Sequence, residues 1–209
     1  MRKQILALLS LGGLSLLVTM SCSLAPLVPW LTPTPTPTPK VRDFELRELL
    51  IDISALSSLC HLDGPPKELP YEEKPVNVEE DLYIRFDCNG SLVGGMYAVY
   101  RFRDSQAAAE RYRNLPGWFY NATRITPYKV PDWVQYQSPV ADQFRFACAD
   151  FHGYTEVYSR RCVVIGQYEE YISAFSISIS PPESMIDHTM LLKQILQAID
   201  ERMTLHLRD

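Results

Sequence analysis

The chain has 209 residues, room for one ordinary domain with appendages but not comfortably for two. With 46% apolar and 22% charged residues it has a globular composition, which excludes a wholly disordered chain. The formal net charge is -5, and because residues 1–40 hold three bases and no acid, the remainder sets 17 bases against 25 acids. That balance argues against nucleic acid as a partner, which would want a basic face.

Arg2 and Lys3 precede a largely apolar run from Ile5 to Met20. A basic start, an apolar stretch and small residues behind it make an export signal. The run falls short of the roughly 20 residues that cross a bilayer squarely, so an uncleaved membrane helix is the second reading. Both readings send the rest of the chain outward. Val18-Thr19-Met20-Ser21-Cys22 resembles the lipobox of bacterial lipoproteins. That resemblance implies cleavage before Cys22, diacylation of its sulfur and a lipid anchor held by two or more chains. Thr19 departs from the pattern, which usually has Leu there; a plain secretory signal with an incidental cysteine is the competing reading. Residues 1–21 are therefore expected to be a signal peptide.

Ser23 to Lys40 contains six prolines and ends in four Thr-Pro pairs, Thr32 to Pro39. Each proline fixes its own φ, removes a backbone donor and pushes its predecessor toward extended geometry. The stretch reads as a polyproline II spacer, at about 3.1 Å per residue. Residues 22–40 form the expected tether, and function is sought in residues 41–209.

Arg42 to Leu59 carries Phe44, Leu46, Leu49, Leu50, Ile53 and Leu56 near helical spacing, which predicts a first helix. Asp63-Gly64-Pro65-Pro66 stops it, and the acidic stretch to Asp81 reads as loop. Leu82, Ile84, Phe86 and Cys88 alternate with polar residues, predicting a half-buried strand, and Asn89-Gly90 predicts a hairpin into a second strand, Met96 to Phe102. Asp104 is the expected N-cap of a helix through Leu115, ended by Pro116-Gly117. Residues 118–141 resist assignment. Three further strands are predicted near 142–149, 156–166 and 170–179, then a helix from about Ser184 to Met203 with Met185, Leu192, Ile195 and Ile199 inward. These elements predict one α+β domain: an antiparallel sheet of about five strands, N- and C-terminal helices and one inserted helix.

With Cys22 set aside, Cys60, Cys88, Cys148 and Cys162 remain, an even number that fits two disulfides in an exported domain. Three connectivities are open. Cys148–Cys162 is favoured because both lie on neighbouring predicted strands, which leaves Cys60–Cys88. The competing reading is a metal site at Cys148 and His152, but close cysteine pairs of the C-x₂-C kind are absent. No metal or other cofactor is expected.

No G-x-S-x-G elbow, H-E-x-x-H helix, phosphate-cradling loop or EF-hand loop occurs. The adjacent acids Glu72-Glu73, Glu79-Glu80-Asp81 and Glu169-Glu170 read as solvated rather than as acid–base pairs. Six aromatics fall between Trp118 and Tyr136: Trp118, Phe119, Tyr120, Tyr128, Trp133 and Tyr136. Beside prolines, Trp118, Tyr120, Tyr128, Trp133 and Tyr136 could form a platform for a glycan or a groove for an extended peptide. Alternatively they fold onto the sheet as a lid.

Leu49-Leu50-Ile51-Asp52 leading to a Gly-Pro loop, Tyr100-Arg101-Phe102 with Asp104-Ser105 opening an Ala-rich helix, Ala141 to Phe146 and Ile165-Gly166-Gln167-Tyr168 together resemble bacterial envelope lipoproteins with a sensor-like or PsbP-like α+β domain. The resemblance implies a binding or accessory role, names no ligand and carries over no functional residue. The expectation is a lipid-anchored lipoprotein of a bacterial cell membrane, facing outside the cytoplasm. Its role would be non-enzymatic, binding an envelope protein, glycan or small ligand. An envelope-associated hydrolase and a purely structural module are the alternatives.

Overall fold

The computed structural model describes residues 42–114, 126–152, 158–180 and 188–207. Six antiparallel strands form its sheet: β1 (Cys60–Leu62), β2 (Val78–Cys88), β3 (Leu92–Phe102), β4 (Gln143–His152), β5 (Tyr158–Tyr168) and β6 (Tyr171–Ile179). Their order is β1-β2-β3-β6-β5-β4, two meanders joined where β3 pairs with β6. Three helices accompany them: α1 (Ile53–Leu56), α2 (Ser105–Arg113) and α3 (Thr189–Leu207). The α+β class and the antiparallel sheet stand. The count of about five strands is corrected to six, because three-residue β1 is too short to show an alternation.

The first helix is also corrected. A 3₁₀ turn at Leu46–Leu49 gives way to an extended Leu50, and α1 starts only at Ile53. Asp52 causes the restart: its side chain accepts from the amides of Ser54 and Ala55, a local bond that competes with a continuous helix. Leu49, Ile51 and Ile53 are buried while Asp52 is exposed, so this segment obeys a period of two.

Asp104 caps α2 as expected, accepting from the Ala107 amide at 2.7 Å. Asn89-Gly90 makes the β2–β3 turn, with Gly90 at φ +78, a conformation that favours glycine. α3 runs four residues beyond the expected Met203, to Leu207; the expected start at Ser184, with Met185, lies outside the described residues, as does Pro116-Gly117.

Each face of the sheet has its own core. α3 and the N-terminal segment cover one face, where Leu192, Ile195, Ile199 and Met203 pack with Phe86, Tyr97, Phe146, Phe175 and Ile177. α2 covers part of the other, with Ala108 among Tyr100, Phe102, Ile165 and Ile172. Each fully buried large side chain of this kind contributes about 1.5–3 kcal/mol.

Two of the acids expected in solvent are buried. Asp81 is 2% exposed, accepts from the Leu69 amide at 2.6 Å and pairs with Lys74. Glu170, 9% exposed, receives Nε and Nη2 of Arg42, while Glu169 pairs with the same guanidinium. Buried carboxylates need such partners, and here they come from residues distant in the chain.

Candidate functional site

Both edges of the sheet are stapled. Cys60–Cys88 joins β1 to β2, and Cys148–Cys162 joins β4 to β5, the second being the pairing favoured from the strand pattern and the first the one it left. The Cα atoms at Cys148 and Cys162 lie 4.1 Å apart, the close spacing of a pair without ladder hydrogen bonds between its members. The backbone groups of Cys148 therefore point outward, away from β5.

A strap uses them. Lys129 exchanges both backbone hydrogen bonds with Cys148 at 2.9 Å, and the Thr126 hydroxyl accepts from the Asp150 amide at 2.9 Å. Pro127 and Pro131 flank this pairing and have no backbone donor, which blunts the edge against further strands. The strap then crosses the edge from one face of the sheet to the other. Tyr128 lies on the α2 side, edge-on to Phe151 with centroids 6.0 Å apart. Trp133 and Tyr136 pack on the α3 side, beside fully buried Val134. Tyr128 thus sits on the opposite face from Trp133 and Tyr136, while Trp118 and Tyr120 lie outside the described residues.

Asp200 of α3 anchors the strap. Only 5% exposed, it accepts from the hydroxyls of Tyr136 at 2.5 Å, Ser138 at 2.8 Å and Tyr168 at 2.7 Å. Ser138 in turn accepts from the amides of Val140 and Ala141, which fixes the turn after Tyr136. Gly166 makes room for Tyr168: a Cβ there would meet its ring at 2.5 Å. Burial, reinforced by the Asp200 charge, holds the Tyr136 and Tyr168 hydroxyls protonated far into alkaline pH, so both remain donors. Asp200 was missed in the sequence although a signal existed: it interrupts the apolar stripe of Leu192, Ile195, Leu196, Ile199 and Met203.

Between strap and sheet lies a groove of about 350 Å³. Pro127, Val130, Pro131 and Trp133 supply an apolar wall, with Cys148 and Ala149 on the sheet side. Charge stands around it on Lys129, Asp132 and the Asp150–Arg160 pair, whose two hydrogen bonds measure 2.7 and 3.1 Å. Val130, 72% exposed, stands at the rim. The arrangement can hold a chain segment by apolar contact and orient it through charges of both signs.

Cys148 and Cys162 are consumed by their mutual bond and are not thiolate ligands; the side chain of His152 lies outside the described ones. Among the described residues no three His, Cys, Asp or Glu side chains converge as a metal site would require, and no helix is long and apolar enough to cross a membrane. Cys22, the expected lipidation site, and the Thr-Pro tract lie outside the described residues. No family model, curated protein or solved structure matches the chain.

Proposed function

We propose that this chain is an exported lipoprotein, anchored through Cys22, spaced from the bilayer by residues 23–40 and working outside the cytoplasm as a non-enzymatic binding module. The occupant of the Trp133 groove is an extended peptide segment of an envelope protein. The carrying observation is the groove itself, with Trp133 and two prolines on one side and both charge signs around it. A peptide presents that combination of apolar side chains, cations and anions along one strand. Two cross-strand disulfides support a location where thiols oxidise.

The test is selection of a random peptide display library on the full-length chain in detergent. Enriched peptides should compete with one another and lose binding to the Val130→Asp variant, an exposed rim position whose change leaves the core intact. Peptides that bind Val130→Asp equally, or capture of oligosaccharides in place of peptides, would overturn the reading. For the anchor, Cys22→Ala should move the protein from the membrane fraction to the soluble one; unchanged partitioning would remove the lipid from the account.

A further inference from the structure

The turn between β2 and β3 ends in a pair of residues that the rest of the fold leaves alone. Asn89 and Gly90 are both exposed at its tip. Among the described residues, neither the Asn89 side-chain amide nor the Gly90 backbone N–H has a hydrogen-bond partner. A Cβ built on Gly90 would meet nothing within 4 Å, so the space around it is open. The flanks, by contrast, are held. The Asn89 N–H donates to the Leu59 carbonyl at 2.9 Å, and the Ser91 carbonyl accepts from the Ser180 N–H at 2.8 Å. The Ser91 hydroxyl is bonded to Nε2 of His188 at 2.7 Å.

Such a tip is open to attack by its own chain. The carboxamide of asparagine is among the labile groups of a protein. The next residue's backbone nitrogen is a nucleophile already placed beside the carboxamide carbon, so no encounter is needed. What ordinarily stops it is a side chain that crowds the nitrogen or a hydrogen bond that holds the N–H. Gly90 has neither among the described residues. Asn77 is the opposite case. It is exposed too, but the residue after it is β-branched Val78, which enters β2 in register with Phe102.

We infer that Asn89 is a self-modification site, at which the Gly90 nitrogen displaces ammonia from the Asn89 carboxamide. The nitrogen bonds to Cγ, the Cγ–Nδ2 bond breaks, and the proton lost by the Gly90 nitrogen leaves with the ammonia. Water then opens the resulting succinimide at either carbonyl. The product is aspartate, or isoaspartate with the main chain running through Cβ and Cγ; no oxidant or reductant takes part. Either product adds a negative charge to the turn. Isoaspartate also inserts a carbon into a main chain held on both sides. It therefore pulls on the bonds to Leu59, which leads into β1, and to His188, the residue before α3.

The experiment is timed incubation of the full chain in detergent and mildly alkaline buffer, followed by digestion at acid pH and mass spectrometry. The Asn89 peptide should gain the mass difference of a carboxyl over a carboxamide and split into a pair of isomers, while the Asn77 peptide stays unchanged. Asn89→Gln, whose longer side chain closes the ring poorly, should abolish the conversion. In the converted fraction, separated by its extra charge, the Asn89 and Ser180 amides should lose protection from hydrogen exchange. Conversion only after reduction and denaturation, or conversion of Asn77 at the same rate, would overturn the proposal. Full protection in the isoaspartate fraction would overturn the pull on β1 and α3.

Discussion

The two edges of the sheet face the same problem and solve it with different amounts of material. At each, the outermost strand is bonded covalently to its inner neighbour, and a loop is tied down by a buried aspartate. β1 has only three residues, and Lys67 continues its line by exchanging backbone hydrogen bonds with Tyr83. Asp81 holds the loop there through the Leu69 amide and the partly exposed Lys74. β4 has ten residues, a full ladder to β5 and a strap fastened to Asp200 by the neutral hydroxyls of Tyr136 and Ser138, with Tyr168 of β5 donating to the same carboxylate. The short edge depends on its disulfide for position. The long edge would keep its register without one, and its disulfide instead supports the groove beneath the strap.

That contrast can be broken most sharply at the cysteines. Replacing Cys60 and Cys88 by Ser releases a 28-residue separation and should cost about 3.5 kcal/mol in denaturant unfolding, against about 3 kcal/mol for the 14-residue Cys148–Cys162 pair. Hydrogen exchange should separate them further. The first change should expose the amides around β1 and Lys67, and the second should leave the β4–β5 ladder protected. Equal protection at both edges would contradict the contrast.

Asp200→Ala leaves three hydroxyl donors in or near the core without their acceptor and should cost on the order of 2–3 kcal/mol by the same assay. Lys74→Ala, at the other edge, should cost less than Asp200→Ala but more than the loss of an exposed pair, because it leaves the carboxylate of buried Asp81 without its cation. A Lys74 effect as large as that of Asp200 would mean the short edge relies on its ion pair.

Alkaline pH probes both sides together. Burial raises the phenol pKa of Tyr168 near Asp200 and of Tyr100 near Asp81, while burial and the Glu170 charge push Tyr171 to about 12. Above pH about 10 an unfolded chain sheds phenolic protons that the native chain keeps, so it binds fewer protons and stability falls as pH rises. The denaturant midpoint should hold below pH about 10 and decline toward pH 12. Tyr168→Phe should flatten the decline, and an unchanged slope would place that phenol in water. The smallest effect is expected away from both edges, at the N-cap of α2, where Asp104→Ala should cost about 1 kcal/mol without changing either edge's protection.

Much of this architecture was readable in short-range patterns. The alternation through Phe146 and Cys148 placed that cysteine on a strand beside the one holding Cys162, adjacency favoured their pairing, and Cys60–Cys88 followed by elimination. Asp104 announced α2 because a cap is chosen by its immediate neighbours. The helix expected over Arg42–Leu59 went astray because spacing was counted without the competing bond from Asp52. The strap was opaque: its prolines break any period, and which face Tyr128 or Trp133 reaches depends on where the segment crosses β4. Asp81 and Glu170 looked solvated because their partners, Leu69 with Lys74 and Arg42, lie at distances in the chain that no local pattern records.

By itself, then, the order of amino acids determined the class of fold, the positions of the long strands, the α2 cap and the supply of cysteines, since each follows from forces acting within a few residues. Tertiary packing alone decided that Asp200 would gather three hydroxyls, that the strap would open a groove beside Trp133, and that Asp81 and Glu170 would be buried against their cations. Those features arise when segments far apart in the chain exclude water from one another, and the cost of an unmatched polar group exists only after that exclusion.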